Sequence, residues 1–186
     1  DQSSSRGLGD VYKRQGEPVS PYGVAKKKLN DFIKLMLQEK NMSYSILNLA
    51  NVYGPRQDPH GEAGVMSIFT GKMLNNEIPI VYGDGNQTRD YIFVTDVVSA
   101  LIKSSEIDEN LFLNIGTSKE TTVNELVSLI GSITSWEGQP DYKTQREGEL
   151  LRSVLNNEKA KKSLNWEPEY NLNRGIEELV DWFKNE

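Results

Sequence analysis

An α/β fold is predicted for this chain, and three observations carry the prediction. Short apolar runs of strand length alternate with amphipathic stretches of helix length. The breaks between them are rich in Gly, Pro, Asn and Asp. Hydrophobic residues make up 37% and charged residues 26%, the proportions of a packed globular domain and not of a disordered chain.

The elements follow in order. Ser20 is a good helix N-cap and Pro21 suits the first helical position; the pattern to about Glu39 is helical, with Leu29, Phe32, Ile33 and Met36 expected to be buried. Tyr44–Ala50 reads as a strand that ends in the turn-rich Asn51–Arg56. A polar loop through Gly64 precedes a helix over Val65 to about Asn75. Ile78–Tyr82 is a strand, Gly83–Asn86 a turn and Asp90–Val94 a further strand. Thr95 or Asp96 is expected to cap a helix to about Ser104, and Leu111–Gly116 is a strand ending in glycine. Thr122 and Glu125 form a capping box for a helix through Ile133. Ser153–Leu155 is strand-like, and the last helices lie near Asn157–Leu164 and Arg174–Lys184. Trp136, Trp166 and Trp182 fit core packing, while Asp84 and Asp90 fit turns and caps.

Composition excludes several classes of function. There is no cysteine, which removes disulfides and thiolate chemistry, and the one histidine, His60, has no companion for a metal site. A net charge of −6 argues against general nucleic-acid binding. No apolar run approaches the roughly 20 residues of a membrane span, no signal peptide is visible, and the cytoplasm is the expected compartment.

Tyr22 and Lys26 stand at i and i+4, stacked on one face of the first helix. A phenol beside an ammonium can move a proton. The plain alternative is a surface tyrosine next to the solvated Lys26–Lys28 cluster, and this spacing alone does not choose between the two.

The pair has company. Tyr22-x-x-x-Lys26, Asn51-Val52-Tyr53-Gly54-Pro55-Arg56-Gln57, Gly83-Asp84-Gly85 with Arg89-Asp90-Tyr91, Asn114-Ile115-Gly116 and Arg146-x-Gly-Glu149 occur in this order. Together they resemble the NAD-dependent epimerase/dehydratase family, the extended short-chain dehydrogenases/reductases that act on nucleotide sugars. The passage ANVYGPRQDPHGEAGVMSIF is most similar to the bacterial UDP-glucose 4-epimerases of that family. The resemblance runs from about Pro18 to the C-terminus.

That resemblance implies the end of a Rossmann-type parallel sheet joined to a smaller α/β substrate-binding domain, with NAD as cofactor, a UDP-sugar as substrate and epimerisation at C4 as the reaction. Tyr22 would take the proton of the 4-hydroxyl, its pKa lowered from about 10 by Lys26 and the nicotinamide charge. Lys26 would also bond the nicotinamide ribose, and Tyr22 and Ala50 would lie against the cofactor. Arg89 and Arg146 would clamp the diphosphate, where a guanidinium fork suits phosphate oxygens. Asn51 would donate to a phosphate oxygen, Gly64 and Val65 would open the helix beneath the diphosphate, Val81 and Tyr82 would flank the uracil, and Glu149 would accept from the ribose hydroxyls. Ser153 would face the sugar ring, its small side chain leaving room for an N-acetyl group. Family members usually form homodimers through the Tyr-x-x-x-Lys helix and the helix before it. The sequence departs from the family at Asn48, where an arginine is usual, and at Thr95, where an aspartate often stands.

The first sixteen residues, DQSSSRGLGDVYKRQG, show no apolar period and look like translated adapter sequence. Residues 1–16 are therefore expected to be foreign to the fold and to pack against nothing. Residues 17–186 are expected to be the C-terminal portion of the enzyme, since Gly7-Leu8-Gly9 is too short for the glycine-rich dinucleotide turn. Such a fragment is expected to have little activity, because hydride transfer needs a held cofactor. Two alternatives stay open: a nucleotide-sugar dehydratase, decarboxylase or reductase, and a fragment that binds nucleotide sugar without turning it over.

Overall fold

The structure, a computed structural model, describes residues 21–40, 42–59, 64–146 and 148–186. The Ser20 cap, His60 and the expectation for residues 1–16 lie outside the described residues, as does the side chain of Tyr22.

Helix α1 (Pro21–Glu39) leads into β1 (Ser45–Leu49) and β2 (Asn51–Tyr53). Then come α2 (Val65–Leu74), β3 (Ile80–Tyr82), β4 (Thr88–Arg89), β5 (Tyr91–Phe93) and α3 (Val94–Ser105). The chain continues through β6 (Leu111–Ile115), β7 (Thr121–Thr122), α4 (Val123–Thr134), β8 (Asp141–Lys143), β9 (Arg152–Ser153), α5 (Glu158–Leu164) and α6 (Leu172–Asn185). The pairs β1–β6, β2–β5 and β3–β8 are parallel, as an alternating α/β chain requires. A small mixed sheet has the order β7-β4-β9.

The run from β1 into β2 changes partners at Ala50, whose N–H donates to Ile115 O, while the N–H of Asn51 donates to Asp90 O. Strand β5 then separates two cores by its period of two. Tyr91 and Phe93 pack with Met66, Phe69, Leu126, Ile130 and Leu179 from α2, α4 and α6. Ile92 packs with Val97, Ala100, Leu113, Ile115 and Trp166. Trp166 is buried and its Nε1 donates to Asp96 O at 3.1 Å; Trp136 and Trp182 are partly buried against the other core.

Asp90 ties these parts together. Its carboxylate, in a residue only 1% exposed, accepts from Thr117 N (2.9 Å), Thr117 Oγ1 (2.6 Å), Ser118 N (3.1 Å) and Leu155 N (3.3 Å). Gly116 is required beside it, since a Cβ there would collide with Asp90 Oδ2. In the same way Gly54, at φ +151°, leaves room for Val94 Cγ1, which a Cβ would meet at 2.5 Å.

Two sequence expectations are corrected. Neither Thr95 nor Asp96 caps α3, because the helix starts at Val94 directly from β5 and leaves no loop residue for a cap. Asp96 instead turns its carboxylate to the N–H groups of Glu169 (2.9 Å) and Tyr170 (3.2 Å), which fixes the approach to α6, and burial pushes its pKa up. The apolar stripe of α1 is not buried: Leu29 is 48%, Phe32 58% and Met36 37% exposed, with Ile33 intermediate. The helix meets the sheet through polar groups, Asn30 donating to Asn48 Oδ1 (3.4 Å) and Lys34 lying over the Phe112 ring (4.2 Å). Asn48 passes the chain on to Asn114 (3.3 Å), which donates to Asn156 O. The Thr122–Glu125 capping box of α4 is present as the sequence predicts.

The Asp90 arrangement makes a stability prediction. Asp90→Asn places an NH2 group against donors on one side of the carboxylate site and weakens the charge-assisted bonds on the other. It is expected to cost about 1.5–3 kcal/mol or more, read as a lower urea midpoint at unchanged m-value. An unchanged midpoint would show that the hub carries no stability.

Candidate functional site

Between α2, β3 and the chain around Glu149 the fold leaves a cavity of about 440 Å³. Its size is that of a ligand pocket, and its walls come from short elements brought together by the two cores. Helix α2 contributes one face: Val65, Ile68, Phe69 and Lys72 follow each other at helical spacing along the cavity. Gly64 and Val65 line it at the helix start, where Gly64 supplies no side-chain cap, so the first-turn amides and the positive end of the helix dipole meet the cavity rim. Val81 and Tyr82 of β3 form the facing wall, with Val123 behind them.

The position of Tyr82 is fixed from behind. Gln87 Nε2 donates to Tyr82 O at 2.7 Å, and the turn that follows β3 is closed by Asp84, which accepts from Asn86 N and Nδ2, both at 2.9 Å. Asp84 is thus the turn group its sequence position predicts, and these bonds hold its carboxyl below the usual range. The guanidinium of Arg146 lies over the Tyr82 ring, 3.9 Å from its centroid, a cation–π contact that sets an exposed arginine at the cavity mouth.

Arg89 is held more deeply. Its Nη1 donates to Thr88 O (2.8 Å) and Leu150 O (2.7 Å), and its Nη2 stands 3.5 Å from Glu149 Oε1. The two side chains are 18% and 23% exposed. Glu149 Oε2 is buried and has no hydrogen-bond partner, an open acceptor on the cavity wall. Tyr91 closes the floor, its phenol pushed up to about 12 by burial, so that it stays protonated throughout the neutral range. Three cations (Lys72, Arg89, Arg146) against one lining carboxylate make the cavity positive in a chain whose net charge is −6. Such a site takes an anion with hydroxyl groups to offer Glu149 and a flat apolar part to lie on Tyr82.

The structure brings together Asn51, Gly64, Val65, Val81, Tyr82, Arg89, Arg146 and Glu149 around this cavity. Ser153 does not line this cavity. It is the β9 partner in register with Arg89, and its carbonyl accepts from Asp90 N at 2.9 Å. Lys26, exposed on α1, and Ala50 stand outside the cavity too. Ile68, Phe69, Lys72, Ile80, Gln87 and Val123 line it without having been named as site residues from sequence, and Tyr91 lines it with no role assigned to it beyond its motif. The first three follow from extending the Val65 face by helical period; Gln87 acts through a side-chain bond to a backbone oxygen, which leaves no periodic trace. Among the described residues no group of three or more His, Cys, Asp or Glu side chains is placed to hold a metal ion, and no helix is long and apolar enough to cross a membrane.

Lys26 lies on an exposed helix surface, and the amide of Ala50 donates to Ile115 O.

A protein-family model described as GDP-mannose 4,6 dehydratase matches residues 11–179. The UDP-glucose 4-epimerase of Mycolicibacterium smegmatis is 38% identical over 169 residues, which cover 90% of this chain and 54% of that protein. The crystal structure of a UDP-glucose 4-epimerase with UDP-glucose from Thermotoga maritima superposes with a TM-score of 0.89 at 44% identity, over 91% of this chain and 55% of that one. A Thermus thermophilus UDP-glucose 4-epimerase in complex with NAD gives a TM-score of 0.82 at 32% identity, over 90% and 55%. The α/β architecture is therefore of the Rossmann type found in these neighbours, and the chain spans about half the length of the curated relatives it matches.

The double anchoring of Arg89 yields a prediction at this level. Arg89→Lys keeps the charge but not the fork that reaches Thr88 O and Leu150 O together. It is expected to destabilise the fold by about 1–3 kcal/mol in chemical denaturation and to speed exchange of the Thr88 amide, which donates to Leu151 O. Unchanged exchange at Thr88 would show that the fork does not hold this loop.

Proposed function

The chain belongs to the family described by the GDP-mannose 4,6 dehydratase model, and from that premise we propose that it carries the nucleotide-sugar half of an NAD-dependent UDP-sugar 4-epimerase. The observation that carries the proposal is the meeting of Arg89, Arg146 and the open Glu149 Oε2 around one cavity walled by Val81 and Tyr82. The diphosphate lies between the two guanidinium groups and the first amides of α2, with Asn51 donating from the strand end. Glu149 Oε2 takes the ribose hydroxyls and the uracil rests between Val81 and Tyr82.

In the parent enzyme NAD, when bound, accepts a hydride and returns it, and its site requires residues besides those described. The part given to this chain's own catalytic pair is protonic: Tyr22 exchanges the proton of the sugar 4-hydroxyl, and Lys26 favours the phenolate by its charge. The exposed stripe Leu29, Phe32, Leu35 and Met36 supports pairing of the parent enzyme as a homodimer through α1. Ser153, in register with Arg89 on β9, is proposed to border the sugar, its small side chain suited to an acetamido form.

Calorimetric titration tests the assignment. The 186-residue chain is expected to bind UDP, and Arg89→Ala and Arg146→Ala are each expected to weaken that binding by about 1.5–3 kcal/mol. If both variants bind UDP as the parent does, the diphosphate assignment fails. The same chain is expected to show no heat with NAD and no turnover of UDP-galactose. Turnover that Tyr22→Phe abolishes would prove the half-site view wrong.

A further inference from the structure

Lys72 lines the cavity, yet the nucleotide arrangement above gives it no task. We infer that Lys72 reads the base, selecting a keto-pyrimidine nucleoside diphosphate over the amino-pyrimidine analogue. The inference rests on the assignment of this cavity to a UDP-sugar.

The argument begins with the geometry of α2. Val65 and Lys72 are seven residues apart on the cavity face, two turns along the helix and about 10 Å in axial rise. That distance is the reach of an extended nucleotide from its phosphate to the far edge of its base. A diphosphate held at the amino end of α2 by the helix amides and Arg89 therefore carries its base towards the third turn of the helix, where Lys72 stands. The facing wall at that end is Ile80, Val81 and Tyr82, apolar and aromatic and suited to the base plane. Phe69 lies on α2 one turn before Lys72 and excludes water from the same end.

The ammonium is held in place. Lys72 Nζ lies 3.2 Å from Glu77 Oε2, and its side chain is 35% exposed. One of its three protons points to Glu77 and the others are available to a ligand. An ammonium only donates. It matches the 4-keto oxygen of uracil and opposes the 4-amino group of cytosine, which presents N–H to the same place. An asparagine or glutamine amide would serve either base by rotating, so a lysine here discriminates where an amide would not. Partial exposure keeps the effect moderate, since water screens the charge.

The test is calorimetric titration of the full chain with UDP and with CDP, for the parent, Lys72→Met, Lys72→Gln and Arg146→Ala. The parent is expected to bind UDP about tenfold more tightly than CDP. Lys72→Met is expected to weaken UDP about tenfold and leave CDP unchanged, and Lys72→Gln to bring the two nucleotides within about twofold. Equal weakening of UDP and CDP by Lys72→Met would make Lys72 a phosphate-directed charge and overturn the inference, as would an unchanged ratio in both variants. Arg146→Ala separates the two levels. If it weakens UDP while the Lys72 variants leave the ratio alone, the nucleotide site stands and the base-reading role falls. If UDP does not bind, or binds without regard to Arg146, the nucleotide assignment fails and the role of Lys72 falls with it.

Discussion

A buried carboxylate with four donors is the constraint on which the other parts rest. Asp90 sits at the end of β4 and the start of β5, and it binds the backbone of Thr117, Ser118 and Leu155 from two distant segments. A charge placed there without partners would be strongly unfavourable; with four donors it becomes a fixed point. It sets the end of β6 against the start of β5 and brings the approach to α5 alongside. The neighbouring Arg89 is thereby aimed the other way, into the cavity. Gly116 is the reciprocal condition, since any side chain there would displace the carboxylate.

From this point the molecule divides. Tyr91 and Phe93 face the core built by α2, α4 and α6, whereas Ile92 faces the core of α3, α5 and β6. Three consecutive strand residues, all buried, thus belong to two hydrophobic interiors, and the ligand cavity opens on the side of the first. The two arginines on the cavity are held by different means. Arg89 is fixed by two carbonyl oxygens and faces Glu149. Arg146 keeps an exposed guanidinium against the Tyr82 ring.

Helix α1 is the counterpart to this well-buried region. It carries the Tyr22–Lys26 spacing and is joined to the sheet by asparagines and a lysine, while its apolar stripe stays exposed. Asn48, where the family usually has an arginine, is the middle of that polar connection, between Asn30 and Asn114. A short neutral amide suits a ladder of amides in a way that a long charged side chain would not.

Much of this was legible in the sequence because it is local. The alternation of strands and helices, the Thr122–Glu125 capping box and the Gly83–Asn86 turn follow from periodicity and from side chains that bond within a few residues of themselves. Asn51, Arg89, Arg146 and Glu149 come from three separate sequence motifs and line one cavity. The tertiary structure alone decided the rest. Asp96 serves the approach to α6, more than seventy residues away, and does not cap α3, since that helix starts at Val94 with no loop after β5. The exposure of Leu29, Phe32 and Met36 depends on what stands opposite α1, which an amphipathic pattern does not state. Gln87 and Asp90 act through bonds to backbone far away in the chain or around a turn, and such bonds have no period. Sequence specifies which faces are apolar and which ends are capped; only packing in three dimensions selects the partner that each polar group meets.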